Sequence, residues 1–402
     1  MIFEAFEAYE QRFAEAKLQK MRFAPWKEAD REKILAGVKE MLCWDEKYLP
    51  EISHMEVISE TDGGTCKILE YRYNTWPHVY GAATLYLPKT QGPHPLVFVC
   101  CGHGDRGRQT ATYAAMGRTL AETGMAALVM DNLGQGDRNL LPDFKNRGHW
   151  QAVAPFYCGL TLQGLIVMET VAMIRHMKKD SRFDPDRFAA CGNSGGGTLT
   201  MFLAALAPEL SVLASSGYPS ELEYVLTKEK VHCSCNLLLG GLLGPDMWEI
   251  YSLFAPKPLF LSSGKLDGLF SPESVRRCYR KVKHTYTQLG AEDAFFTKRT
   301  ASGHSWKVED TNVIRAFLAK QLLGIEVQDR EAWPEQQTTS VPMPSDAIDA
   351  EQLAQNLTGI TMPEGAKLQD VFPPAVSVED ETIMRIFAQY ECALKCRKDG
   401  TL

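Results

Sequence analysis

The residues of clearest chemical meaning are Gly192-Asn193-Ser194-Gly195-Gly196-Gly197. They follow the apolar run Arg187-Phe188-Ala189-Ala190-Cys191 and precede an apolar stretch, 198–206, whose pattern predicts a helix. A strand that turns sharply into a helix around Gly-x-Ser-x-Gly lifts the serine above the edge of a sheet. It holds that serine in a backbone conformation that only very small neighbours permit. Gly192 and Gly196 are those neighbours. The Gly195 N–H, at the start of the helix, then faces an oxyanion developing on a bound carbonyl. The chemistry this predicts is attack by the Ser194 hydroxyl on an acyl group.

A serine hydroxyl is a weak nucleophile until a base takes its proton. With this strand–turn–helix arrangement an acid and then a histidine follow the serine in the chain. The buried run 258–263 closes in Gly264-Lys265-Leu266-Asp267-Gly268, placing Asp267 at the carboxyl edge of a strand. A further strand candidate, 294–299, leads into Ser302-Gly303-His304-Ser305-Trp306, placing His304 on a loop ahead of a helix at 312–323. His304 would act as general base and then acid, and Asp267 would hold its tautomer and stabilise the imidazolium. Singly, Asp267 reads as a turn residue and His304 as a loop histidine. Their order and their strand-end positions together favour the catalytic reading. Asp131 and Asp137, on another strand-end loop, are the alternatives for the acid.

A second oxyanion donor is expected from the loop after the continuous apolar run 96–101, which reads as a central parallel strand. That loop is Gly102-His103-Gly104-Asp105-Arg106-Gly107, and the donor is assigned to the backbone of Asp105, with Gly104 allowing close approach. His103 is read as support for the loop. Arg106, Arg108 and Arg138 share this sheet edge and are expected to be solvated, with one of them available to an acidic substrate. His232-Cys233-Ser234-Cys235 is too compressed to wrap a tetrahedral ion and has no second ligand pair, so no metal site is assigned. Ser263-Gly264-Lys265 lacks the upstream glycine of a phosphate loop.

The elements that must position these residues fall into four stretches. Residues 1–50 read as an N-terminal helical segment, with Phe3, Phe6, Tyr9 and Phe13 in one helix and Ile34, Val38 and Met41 in a second. Residues 51–324 form the expected catalytic domain. It begins with antiparallel edge strands around 67–73 and 83–87, and from residue 96 strands alternate with helices, which predicts a mostly parallel, doubly wound sheet. A small cap insertion at about 219–248 follows the strand 212–216, and Tyr218 and Trp248 are expected to roof the substrate pocket. Residues 325–402 form an acidic extension, with 14 Asp and Glu against 6 Lys and Arg. Helices are expected there at 345–357, with Ser345 as N-cap, and at 377–396, where an apolar face must pack on its own subunit or on a neighbour. A homo-oligomer held by this extension is therefore one expectation.

A chain of 402 residues with 45% apolar content can bury a large core, and a net charge of −7 without a basic cluster excludes a nucleic-acid footprint. No run of apolar residues is long enough to span a bilayer, and the first residues lack a basic region followed by an apolar core. Eleven cysteines, several inside apolar runs, read as reduced thiols, which points to the cytoplasm.

These motifs resemble the α/β-hydrolase group that contains acetyl-xylan esterases, cephalosporin-C deacetylases and dienelactone-hydrolase-like esterases. The resemblance rests on Gly102-His103-Gly104, the segment from Val129 to Arg138 with its Gly134-Gln135-Gly136, the strand-to-helix elbow from Gly192 to Gly197, Ala255-Pro256-Lys257-Pro258-Leu259 leading to Asp267, and Gly303-His304. Two positions depart from the acetyl-xylan pattern: Gly195 stands where Gln is typical and Leu133 where Arg is typical. The resemblance implies an α/β-hydrolase fold and a cofactor-free serine esterase acting on a short acyl group, acetyl included, carried by a carbohydrate or similar small alcohol. A peptidase, amidase or thioesterase on the same triad is the enzymatic alternative, and a non-catalytic hydrolase-fold binding protein is the other.

Overall fold

A computed structural model describes residues 27–28, 30–104, 106–141, 152, 154–227, 236, 238 and 244–363. The helix expected around Phe3 to Phe13, the Asp105 oxyanion donor, His232 to Cys235, most of the cap and the helix at 377–396 lie outside these residues. Among the described residues nine strands make one sheet, in the order β1-β2-β3-β5-β4-β6-β7-β8-β9. The strands are β1 (Ser53–Asp62), β2 (Cys66–Asn74), β3 (Tyr80–Pro88), β4 (His94–Cys100), β5 (Ala126–Met130), β6 (Phe183–Asn193), β7 (Val212–Ser216), β8 (Leu259–Gly264) and β9 (Phe295–Thr300). The first three run antiparallel, and β3 pairs β5 antiparallel. From β5 across to β9 every pairing is parallel. The strands β4, β5, β7 and β8 are buried along their whole length. That is the reason they read in sequence as unbroken apolar runs and not as alternating ones.

Helices cover both faces. In chain order they are α1 (Asp30–Met41), α2 (Ala111–Glu122), α3 (Ala154–Tyr157), α4 (Leu162–Met177), α5 (Gly195–Leu206), α6 (Leu222–Thr227), α7 (Met247–Ser252), α8 (Pro272–Gln288), α9 (Val308–Leu323) and α10 (Ala350–Thr358). One core joins α2 and α9 to a sheet face through Met116, Leu120, Ile314 and Leu318. The larger core joins α1, α4, α5, α7 and α8 to the opposite face. In α4 nearly every residue is buried, as its all-round apolar sequence requires. In α1, Ile34, Val38 and Met41 form the buried stripe expected from their spacing. This is the α/β-hydrolase fold. No helix of the described residues is long and apolar enough to cross a membrane.

The described part of the C-terminal extension folds back onto its own sheet. Val341 is buried at 1% exposure, its N–H donates to Asp137 Oδ2 at 2.8 Å, and the Thr339 N–H donates to Glu70 Oε1 at 3.0 Å. Ala350, Leu353 and Ala354 of α10 join the larger core. The helix begins later than its proline-bounded sequence predicts. Ser345 does not cap it; Asp349 does, accepting the Gln352 N–H at 3.0 Å. Asp346 is drawn off instead to His78 and Tyr80.

Candidate active site

The strand β6 delivers Ser194 and α5 starts at the next residue. Ser194 holds φ +60° and ψ −122°, a left-handed region that costs a non-glycine residue on the order of 1–3 kcal/mol and persists only where its surroundings enforce it. The surroundings do so by contact. A Cβ on Gly192 would stand 2.2 Å from the Gly196 carbonyl oxygen, and one on Gly196 would stand 2.0 Å from that of Cys100. The Ser194 N–H donates to Ser216 O at 3.0 Å, tying the turn to the neighbouring strand.

The three residues placed at strand ends meet. His304 Nε2 is 2.7 Å from Ser194 Oγ, and His304 Nδ1 is 2.9 Å from Asp267 Oδ2. The other Asp267 oxygen accepts the Leu269 N–H at 2.9 Å. Asp267 is buried while the imidazole keeps partial exposure, 3% against 24% of the side chain. One face of the unit is therefore fixed in protein and the serine end opens to a cleft. The loop carrying His304 is fixed at both sides. Thr300 and Ser302 donate to Asp310 Oδ1 at 2.6 and 2.9 Å. Asn193, the variable residue of the elbow, donates from Nδ2 to His304 O at 3.0 Å and accepts Ser216 Oγ at 3.1 Å.

The cleft at Ser194 is narrow and is walled by His103, Tyr218, Val225, Leu269, Phe270 and His304. Tyr218 therefore lies where expected. Trp248 does not: it is buried on α7 with the Lys281 ammonium 5.5 Å from its ring, and it is not among the described residues that wall the cleft. The aromatic wall is Phe270, which its sequence context did not mark. Its ring centroid is 5.9 Å from that of His304 and 5.8 Å from that of Tyr218. Opposite it, a Cβ on Gly195 would stand 3.0 Å from His103 Cε1. The His103 ring thus fills space that a longer side chain after the nucleophile would need, which gives the glycine at this position a physical reason.

Asp131 and Asp137 are not placed near His304. They belong to a buried network around Arg108, itself 0% exposed. Its guanidinium lies 2.9 Å from Asp137 Oδ2, 3.1 Å from Glu70 Oε2 and 3.7 Å from Asp131 Oδ2, and donates to Thr339 O at 2.9 Å. Asp131 Oδ1 accepts the Arg108 N–H at 2.6 Å. Arg138 makes a two-pronged pair with Glu169 at 2.7 and 2.8 Å. Arg108 and Arg138 are therefore core cations and are not solvated, a correction to the expectation from their loop positions. Burial raises the Asp131 carboxyl to about 6 despite the opposing Arg108, and burial raises that of Glu70 as well. This network anchors the loop after β4, and Gly107, at φ +51°, lets its backbone pass Asp131.

The described cysteines are free thiols. Burial raises Cys100 to about 12 and Cys191 well above its usual value, so these are packing residues and not nucleophiles. Among the described residues no group of three His, Cys, Asp or Glu is arranged to hold a metal ion.

Known proteins bear on this geometry in three ways. Residues 45–229 match the model of the acetyl xylan esterase (AXE1) family. The Bacillus subtilis (strain 168) protein YtaP, named as a hydrolase, is 28% identical over 260 residues, covering 58% of this chain and 81% of that protein. Among solved structures, Methylesterase BT1017 superposes with a TM-score of 0.66 at 19% identity, over 87% of this chain and 78% of its own. A glucuronoyl esterase from Teredinibacter turnerae T7901 superposes with a TM-score of 0.55 at 14% identity, over 73% and 84%. At those identities the structural likenesses speak to the fold, and the family match speaks to sequence kinship. The chain thus has the α/β-hydrolase fold, and over residues 45–229 its sequence is similar to the acetyl xylan esterases.

Proposed function

We propose that the chain is a serine esterase that cleaves a short-acyl ester of a carbohydrate or similar small alcohol through an acyl-Ser194 intermediate. The observation that carries this reading is His304, which reaches Ser194 Oγ with one ring nitrogen and Asp267 with the other. In the attack step, Oγ bonds to the ester carbon while Nε2 takes its proton, and the carbonyl π electrons move onto oxygen. The Gly195 N–H at the head of α5 faces that oxyanion. Collapse of the tetrahedral species expels the alcohol, which takes its proton from Nε2. Water then repeats the cycle on the acyl-enzyme, with His304 again as base, and releases the acid. Asp267 receives the Nδ1 proton donor throughout, so Nε2 is kept as the acceptor facing Ser194.

The cleft supports a small substrate. Phe270, Leu269, Val225 and Tyr218 crowd the serine and leave little room beside it. A panel of chromogenic acetyl, butyryl and octanoyl esters tests the reading. Cleavage of the first two with octanoate at least tenfold slower in kcat/KM is expected. Octanoate as the best substrate, or thioesters and amides cleaved faster than esters, would contradict it.

A further inference from the structure

Asn193 and His304 are joined by a contact outside the triad. Asn193 ends β6, directly before Ser194, and is 5% exposed. Its Nδ2 donates to the His304 carbonyl oxygen at 3.0 Å, and its Oδ1 accepts from Ser216 Oγ at 3.1 Å. The partners fix the way the amide points, because a carbonyl oxygen can only accept and so must face the NH2 group. Ser216 is the sheet partner of Asn193 at the end of β7. The amide then passes Gly217, which holds φ +59°. A Cβ there would stand 2.4 Å from Asn193 Oδ1 and 3.4 Å from His304 O. The missing side chain at Gly217 therefore leaves the gap through which β6 reaches the histidine loop.

Two things place a histidine base: where its backbone stands and which way its ring turns. Asp267 sets the second through Nδ1. The bonds of Thr300 and Ser302 to Asp310 hold the loop to α9, which does not refer it to Ser194. The Asn193 amide does, because it is carried by the residue adjoining the nucleophile. We propose that Asn193 is a positioning residue, whose amide holds the His304 carbonyl so that Nε2 stands at its 2.7 Å reach of Ser194 Oγ. The inference rests on the triad reading and adds to it a residue that touches neither substrate nor reacting atoms. Without the amide the histidine loop is free to shift, and a base misplaced by about 1 Å lowers the rate on the order of 10²-fold. Asn193 is not among the described residues that wall the cleft, so the expected loss is in turnover and not in binding.

The test measures kcat and KM of the full chain on 4-nitrophenyl acetate. Asn193→Leu keeps the shape of the side chain and removes the amide. It is expected to lower kcat by roughly 10-fold to 100-fold, with KM within about twofold of the parent's. Ser216→Ala is the milder variant: it leaves the amide in place but frees its Oδ1, and should lower kcat by roughly twofold to fivefold. The decisive readout is Asn193→Leu made on an Asp267→Asn background. There the ring is already misdirected, so removing the tether should lower kcat by about threefold or less. An asparagine that serves the fold alone would act on both backgrounds equally. Equal losses in the two backgrounds, or the parent's kcat in Asn193→Leu, overturn the positioning role while leaving the esterase reading standing. Where Asn193→Leu does not fold, the parent's kcat in Ser216→Ala overturns it in the same way. Failure of the parent to cleave 4-nitrophenyl acetate overturns both.

Discussion

Asp267 and His304 are 37 residues apart in the chain and 2.9 Å apart in space, with Asp267 Oδ2 facing His304 Nδ1. In the mechanism we propose, this contact makes Asp267 the acid, while Asp131 and Asp137 are paired with Arg108. Asp267→Asn is expected to lower kcat by about 10⁴-fold, because an asparagine can present its amide to Nδ1 and so favour the wrong tautomer. Circular dichroism and melting temperature should stay near the parent's. A mild effect of Asp267→Asn beside a severe catalytic effect of Asp137→Asn would show that the acid is elsewhere.

The elbow depends on two absent Cβ atoms. Gly196→Ala would drive a methyl to 2.0 Å from the backbone carbonyl of Cys100, which has no side-chain freedom with which to yield. The expected cost is about 3 kcal/mol or more, read as a fall in the urea midpoint or as loss of soluble protein. A variant with the parent's stability would mean that the turn is looser than its contacts imply.

The Arg108 guanidinium lies among Glu70, Asp131 and Asp137. Arg108→Ala leaves buried carboxylates uncompensated and should destabilise by roughly 3–5 kcal/mol in chemical denaturation. The residues from Thr339 to Val341 hydrogen-bond to the same network. Digestion should therefore open the chain near them earlier in the variant than in the parent.

Asp131 gives a pH signature. Its carboxyl rises from 3.8 to about 6 on folding, so the native state holds the proton more tightly than the unfolded chain does. Its contribution to stability is present in full below pH 3.8 and is lost as pH rises through about 6. The stability of the parent relative to Asp131→Asn should therefore fall between those limits by up to roughly 3 kcal/mol, and level off above them. Denaturation of both proteins at several pH values measures it. A difference that grows with pH would contradict the assignment.

How much of this was legible in the sequence follows from the range of each interaction. The elbow was readable because glycine spacing and flanking patterns are local, and the parallel sheet because buried strands leave unbroken apolar runs. Asp267 and His304 were readable through chain order and strand-end placement. Arg108 and Arg138 were misread because the partners that make burial tolerable, such as Glu70, Asp137 and Glu169, lie on other elements, and a loop arginine taken alone reads as solvated. Trp248 was misread because its aromatic type suits a pocket wall as well as a core, and only α7's packing decides between them. Phe270 gave no pattern at all; it matters through the imidazole that the fold sets beside it.

The central claim is that Ser194 is the nucleophile, and covalent labelling tests it most directly. The full chain is treated with a fluorophosphonate, digested, and mapped by mass spectrometry. One phosphonyl group on the peptide that contains Ser194 is the predicted result, with Ser194→Ala unlabelled and at least about 10³-fold slower on acetyl esters while remaining folded. A label on any other serine, or a Ser194→Ala variant that still turns over at the parent's rate, would contradict the account.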